Sequence, residues 1–275
     1  MQLQRYQSAA AFQEAAQPFL LAAEAENSLI LGIARDLADS AAPAGLPYFA
    51  TVHDGGEIQV CAFSSIPSKV GITRARRPAA LTVLASDVVA GCPGMHMVLG
   101  PEPSILPFAN LVAERLGTTP RPWMSQRIHE LRVVEPLSNL PPGRLRPADP
   151  GDLGLVTGWV AEFMTHADDQ GDAAEVARER ISRGLLHVWE DGEVVSMAAW
   201  TGQMPNGVRI SLVYTPLAFR GRGYATACVA ALSRKMLQCN QYCCLYTDLA
   251  NPTSNAIYHR IGYRPVCDAG VYSIR

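Results

Sequence analysis

The stretch with the most chemical content is Val213-Tyr-Thr-Pro-Leu-Ala-Phe-Arg-Gly-Arg-Gly-Tyr-Ala-Thr-Ala227. Gly221 and Gly223 let the backbone turn sharply and approach a ligand closely. The turn opens a helix, whose first amides have no intrahelical partner. Unpaired N–H groups at the positive end of a helix suit a pyrophosphate, and Arg220 and Arg222 add charge and side-chain donors. Taken alone, the same turn is also a tight strand-to-helix connection. It lacks the Gly-Lys-Ser/Thr ending of a Walker loop and the G-x-G-x-x-G of a dinucleotide fold. A second stretch, Asn251-Pro-Thr-Ser-Asn255-Ala-Ile-Tyr258, offers a phenol as a general acid. Asn251 equally suits a helix N-cap, Asn255 a solvent-facing position and Tyr258 a half-buried packing role.

These residues need elements to position them. An apolar run over Val208–Tyr214 reads as a strand before the Gly turn, and a helix follows from about Tyr224 to Leu237. Tyr242–Thr247 is a strand. Pro252 at N1 and Gly262 past the end bracket a helix to Arg260. Upstream, Arg144–Arg146 is a short strand, and Asp149 or Asp152 caps a helix to about Thr165. A second helix covers Ala173–Arg183, and Asp191-Gly192 joins a hairpin of Leu185–Glu190 and Glu193–Trp200. A last strand lies near Gly270–Ile274. The first half repeats this order loosely. It has helices over Ala10–Glu24 and Glu26–Ala38, a hairpin about Asp54-Gly55-Gly56 joining Tyr48–His53 and Glu57–Phe63, and strands at Ala80–Ser86 and Met95–Leu99. A helix over Ser104–Leu116 and a closing strand over Gln126–Val133 follow. Five prolines in Pro136–Pro150 mark a boundary.

Arg220-x-x-Gly223-x-Ala225 resembles the Q/R-x-x-G-x-G/A signature of the GNAT superfamily of N-acetyltransferases. Asn251 to Tyr263 is similar to the superfamily's N-x-x-A-x-x-x-Y-x-x-x-G-F/Y segment, with Ser254 in place of Ala. The resemblance covers about Arg144–Arg275 and reaches the first half only as a general pattern. It implies an α/β (α+β) fold of two GNAT-like domains, each with a central, mostly antiparallel mixed sheet flanked by helices. The expected division is a degenerate GNAT-like domain at 1–136, a Pro-rich linker at 137–149 and an acetyltransferase domain at 150–275.

The resemblance further implies that the pantetheine arm of acetyl-CoA lies beside a splayed strand, against the backbone of Val213 and Thr215 with Tyr214 between. Amides from Arg220, Gly221, Arg222, Gly223, Tyr224, Ala225 and Thr226 would hold the pyrophosphate. Asn251 and Asn255 would border the pantetheine or its phosphate, and Tyr258 would protonate the leaving thiolate. The expected activity is direct acetyl transfer, in a ternary complex, to a primary amine of a small molecule or peptide. A non-catalytic acyl-CoA sensor or a transferase using a longer acyl-CoA are the alternatives. The general base stays open between a water chain, Glu162, His166 and a backbone carbonyl. Nine acidic residues against three arginines in Glu162–Glu193 would favour a cationic amine at the acceptor cleft, or simply make a solvated face.

Composition narrows the classes. The 275 residues are 48% apolar and 17% charged, with a formal net charge of -2, which argues against a nucleic-acid binder. No window approaches the roughly 18 apolar residues of a membrane span, and the N-terminus has no apolar leader. Seven cysteines without such a leader suggest free thiols and a cytoplasmic protein. Cys239, Cys243 and Cys244 lack a zinc spacing and read as small apolar residues at a helix end and in a strand. No metal is expected, and a homodimer is left open. At the matching turn the first half has Gly100-Pro101-Glu102-Pro103. Two prolines lack amides and Glu102 repels phosphate, so this half is expected not to bind coenzyme A. Trp123 and Met124 read as core, and Arg74, Arg76 and Arg77 as a solvated loop or a contact for an adenosine 3′-phosphate.

Overall fold

The computed structural model describes residues 1–39, 47–167 and 171–275. The chain forms two units, and they are not contiguous halves. The first comprises Met1–His129, Tyr246–Asn251 and Pro265–Arg275; the second comprises Glu130–Leu245 and Pro252–Arg264.

The first unit begins with β1 (Gln2–Arg5), α1 (Ala9–Leu21) and α2 (Ser28–Asp39). Ser8 caps α1 through Oγ, which accepts from the Ala11 amide at 3.2 Å. The α1 residues Phe12, Ala16 and Leu20 recur at helical spacing and are fully buried. β2 (Tyr48–Asp54) and β3 (Glu57–Ile66) form the expected hairpin, and its Gly55 and Gly56 have φ of 60° and 85°. Two successive positive φ values are what a type I′ turn requires. β4 (Lys69–Ile72) pairs with β3 and, in parallel, with β5 (Met97–Pro101).

Between β4 and β5 lies α3 (Ala79–Gly91), where the sequence reading expects a strand over Ala80–Ser86. Its buried residues, Ala80, Leu81, Leu84, Ala85 and Val88, follow a helical period. Val83, Val88 and Val89 lend the run a strand-like composition, and a short apolar run does not by itself separate a strand from a buried helix. α4 (Ile105–Leu116) ends on Gly117 in the left-handed region, and β6 (Arg121–Leu131) follows. The core of this unit packs α3 and α4 on β2–β5. Trp123, expected in the core, is 54% exposed. Arg74 and Arg77 are ion-paired with Glu26 and Asp54, and Arg76 stands 3.9 Å from Glu57.

The second unit opens with β7 (Arg144–Pro147), which falls inside the stretch expected to be a linker. After a capping box between Asp149 and Asp152 come α5 (Leu153–Ala167) and α6 (Ala173–Ser182). β8 (Leu186–Asp191), β9 (Glu193–Thr201) and β10 (Gly207–Tyr214) continue an antiparallel meander from β7. α7 (Tyr224–Met236) leads to β11 (Tyr242–Asp248), which pairs in parallel with β10. α8 (Pro252–Ile261) precedes β12 (Arg264–Ser273). One face of the sheet is covered by α7 and α8, the other by α5 and α6. β12 belongs almost wholly to the first unit, where it pairs antiparallel with β5 and neighbours β6. Among the described residues, no helix is long and apolar enough to cross a membrane.

One ion-pair cluster ties three elements of the second unit together. Arg146 on β7 makes a bidentate contact with Asp152 at 2.6 and 2.9 Å and reaches Glu190 on β8 at 2.9 Å. The Arg146 guanidinium holds the Asp152 carboxyl below its ordinary range. The stability this adds is present above the usual carboxylate pKa and is lost as pH falls through the lowered native value. Arg146→Leu is expected to destabilise the protein by about 2 kcal/mol at pH 7, between the values for exposed and buried pairs. Urea unfolding measures this, and the gap between variant and parent closes as the medium is acidified.

Candidate functional site

β10 and its following turn carry the site. The parallel pairing with β11 spans Gly207–Arg209 against Tyr242–Cys244, while β10 itself runs on to Tyr214. Its last residues therefore lie beyond that pairing. Against β9 the register shifts between Ser211 and Tyr214, and Leu212 has a φ of 48°. This is a β-bulge, which breaks the two-residue alternation. Val208 and Ile210 point to the α7 face, whereas Leu212 and Tyr214 point to the α5–α6 face and Val213 returns to the α7 side. Nothing in Ile210-Ser-Leu-Val-Tyr214 announces the break, because the run alternates like an ordinary strand.

The end of β10 is held from three sides. Ser196 Oγ on β9 lies 3.1 Å from the Tyr214 carbonyl and 2.9 Å from Thr215 Oγ1. Arg220 Nε donates to the Thr215 carbonyl at 2.9 Å, and its guanidinium stacks over the Tyr214 ring. The Tyr214 ring packs against Trp159, and its hydroxyl donates to the Glu162 carboxylate on α5. Burial, then the hydrogen bond to Glu162, raises the Tyr214 phenol above its usual range. Ser196, Trp159 and Leu212 were not singled out by sequence reasoning. No motif marks them, since their parts depend on the bulge.

The turn after β10 leaves its donors open. The Arg220 amide is already engaged, donating to Leu217 O at 3.3 Å. Among the described residues, the amides of Gly221, Arg222, Gly223, Tyr224, Ala225 and Thr226 donate to no backbone carbonyl, and intrahelical bonding resumes with Ala227 to Gly223 at 3.0 Å. Gly221 and Gly223 have φ of 77° and 85°, a region that a side chain disfavours. Gly223 is also the N-cap of α7, and a Cβ there would stand 3.4 Å from Pro141 Cδ. The Arg222 guanidinium lies over the Phe219 ring. The Tyr224 hydroxyl donates to Asp191 at 2.7 Å, which fastens the start of α7 to the β8–β9 hairpin and leaves only its amide for a ligand.

Tyr258 sits on α8 in the same apolar cluster as Val213, Tyr224 and Cys228. Burial first, then the neighbouring Cys228, pushes its phenol well above the ordinary value, so it holds its proton at neutral pH. Asn255 is half-buried on α8. Asn251 is exposed immediately before α8, and its amide donates to Asp248 O at 3.0 Å. Of the two side chains considered as a base, Glu162 is exposed, and that of His166 lies outside the described residues.

Among the described residues, the corresponding turn of the first unit has no such row of donors. The Glu102 amide donates to Asp268 O at 2.9 Å and the Ser104 amide to Pro101 O at 3.1 Å, while Pro101 and Pro103 have none. The same unit encloses a cleft lined by Ile30, Phe63, Ile72, Leu99, Ile128 and Tyr246, which no sequence motif indicated.

Burial disfavours most of the cysteines as nucleophiles. Burial pushes the Cys228 thiol up to about 12, and those of Cys243, Cys267 and Cys92 to about 12, 12 and 11. Cys239, just past α7, is the exposed member of the set. Titration of the native protein with a chromogenic disulfide at pH 7.5 is therefore expected to show one fast thiol per chain, abolished by Cys239→Ser; a second fast thiol would contradict this assignment.

Residues 186–270 match the family model described as FR47-like protein. No curated protein matches the sequence. Among solved structures, the chain is similar to an acetyltransferase from the GNAT family of Colwellia psychrerythraea, with 10% identity, a TM-score of 0.59 and 99% coverage of both chains. A GCN5-related N-acetyltransferase from Sphaerobacter thermophilus aligns with 14% identity and a TM-score of 0.60, covering 99% of this chain and 96% of that one. A tandem GNAT protein from the clavulanic acid biosynthesis pathway aligns at 13% identity and a TM-score of 0.58 over 98% of each chain. Residues 186–270 thus resemble the FR47-like family, and the chain as a whole shares the fold of these GNAT acetyltransferase structures.

Proposed function

We propose that this protein is an acetyl-CoA-dependent N-acetyltransferase acting on a primary amine by direct transfer. The observation that carries this reading is the unbroken row of amides from Gly221 to Thr226, at the start of α7, that among the described residues donate to no backbone carbonyl. Such donors suit a diphosphate in number, spacing and dipole sense. The residues present fit the donor: two glycines hold the turn open at positive φ, and backbone beyond the β10–β11 pairing is available to line an acyl-bearing arm.

Acetyl-CoA, when bound, supplies an activated acyl group. The chain's part is positional and electrostatic. The amides of the turn bind and orient the diphosphate. The backbone at Val213–Thr215 borders the arm, with Ser196 and Arg220 fixing that strand end so that little reorganisation is needed. Tyr258 holds a proton on its phenol oxygen, available to a departing thiolate. With Cys228 buried and protonated, no covalent acyl-enzyme is required. The first unit is a GNAT-like domain without a diphosphate turn, so one donor molecule binds per chain.

Calorimetry with acetyl-CoA tests this. The expected result is one site per chain, weakened at least about tenfold by Gly223→Val, since a branched side chain at positive φ strains the turn and blocks close approach. Two equivalent sites, or undiminished affinity in the variant, would overturn the assignment. Tyr258→Phe is expected to lower kcat by about a hundredfold with the acetyl-CoA Kd unchanged. A wild type that binds acetyl-CoA and acetylates none of a broad amine panel would instead identify an acyl-CoA sensor.

A further inference from the structure

The parallel pairing of β10 with β11 ends at Arg209, opposite Cys244, so Arg209 stands where the two strands part. Its neighbours Val208 and Ile210 pack with α7, which puts the Arg209 side chain on the other face of the sheet, that of α6. Its cross-strand partner on β9 is Thr201, whose Oγ1 accepts from Arg180 Nη1 on α6 at 3.1 Å. Two arginines thus flank one threonine. Arg180 lies 3.2 Å from Glu179, a carboxylate that Arg183 shares at 2.6 Å. Arg209 has no such neutralisation. Among the described residues no carboxylate pairs with it, and its buried Nη1 has no hydrogen-bond acceptor. Gly202, with φ of 58°, lies under the guanidinium: a Cβ there would stand 3.5, 3.5 and 3.6 Å from Cζ, Nη2 and Nη1. Such even distances set the glycine beneath the flat face and leave the edge for a ligand. A half-buried cation whose donors lack an acceptor is costly, and a planar carboxylate met edge-on satisfies two donors at once.

We infer that Arg209 binds a carboxylate of the amine acceptor, with Thr201 and Arg180 bordering the same place. The inference rests on the transferase reading and deepens it by naming the substrate class. Four residues separate Arg209 from Val213, where the acyl-bearing arm is placed, which is roughly 13 Å of extended strand. The ion pair and the acyl end take up part of that span. An α-amino acid holds its amine and carboxylate too close together to bridge the remainder, whereas a dipeptide extends about 7 Å. The acceptors that fit are dipeptides and amino acids whose amine is several bonds from the carboxylate.

The experiment offers wild type, Arg209→Gln and Arg209→Lys a pair of acceptors that differ only in the carboxylate, glycylglycine and its C-terminal amide. Wild type is expected to show a KM for the free dipeptide about tenfold or more below that for the amide. Arg209→Gln abolishes the preference by raising KM for the free dipeptide, with kcat affected less and the acetyl-CoA Kd unchanged. Arg209→Lys keeps the charge without the fork and retains part of the preference. A purely structural role would weaken both acceptors alike. A preference that survives Arg209→Gln therefore overturns the inference. Direct titration of wild type in the presence of coenzyme A needs neither turnover nor a folded variant: glycylglycine bound no better than its amide also overturns it. So does a dipeptide that binds and is never acetylated, because the carboxylate then belongs to a ligand other than the acceptor. Failure to bind acetyl-CoA overturns the transferase reading instead, so the two are told apart.

Discussion

Backbone donors left without acceptors are the constraint on which this structure turns. From Gly221 to Thr226 the chain presents amides that no backbone carbonyl among the described residues satisfies. A helix start always has orphan donors, but here two positive-φ glycines extend the row back into the turn. The sequence around it serves to hold that turn in place. Tyr224 anchors the start of α7 to Asp191, and Arg220 folds back on the Thr215 carbonyl. Neither arginine of the motif is simply a free positive charge aimed at phosphate, since Arg220 is bonded to the strand end and Arg222 lies over Phe219. The backbone is the anion-binding surface, and the side chains stiffen it.

The second organising feature is the failure of β10 to remain an ordinary strand. It outlasts its pairing with β11 and reverses its facing at Leu212, at the cost of one left-handed non-glycine residue. A regular strand would have kept Tyr214 on the same face as Ile210. The bulge instead delivers Tyr214 to Trp159 and Glu162, and leaves Val213 near the cluster that contains Tyr258. One irregularity thus gives the strand end two chemically different sides.

Much of this was legible from residue types alone. Gly221, Gly223, Pro252 and Gly262 act through backbone geometry that depends little on the rest of the fold, so the turn and the α8 boundaries could be read directly. The hairpins at Gly55-Gly56 and Gly192 were readable for the same reason. What escaped depends on distant partners. The return of β12 to the first unit is set by its pairing with β5, which no local pattern encodes. α3 was hidden because its apolar residues satisfy a strand composition and a helical period together. Trp123 looked like core from its type, yet it lies exposed on β6. The bulge, and with it the grouping of Ser196, Trp159, Tyr214 and Glu162, left no trace in a regularly alternating run.

The most direct test of the central claim is a crystal structure of the protein with coenzyme A. The account predicts diphosphate oxygens within hydrogen-bonding distance of the amides between Gly221 and Thr226, with the pantetheine arm beside Val213–Thr215. A nucleotide seated instead in the cleft lined by Ile30, Phe63 and Tyr246, with the turn vacant, would contradict it.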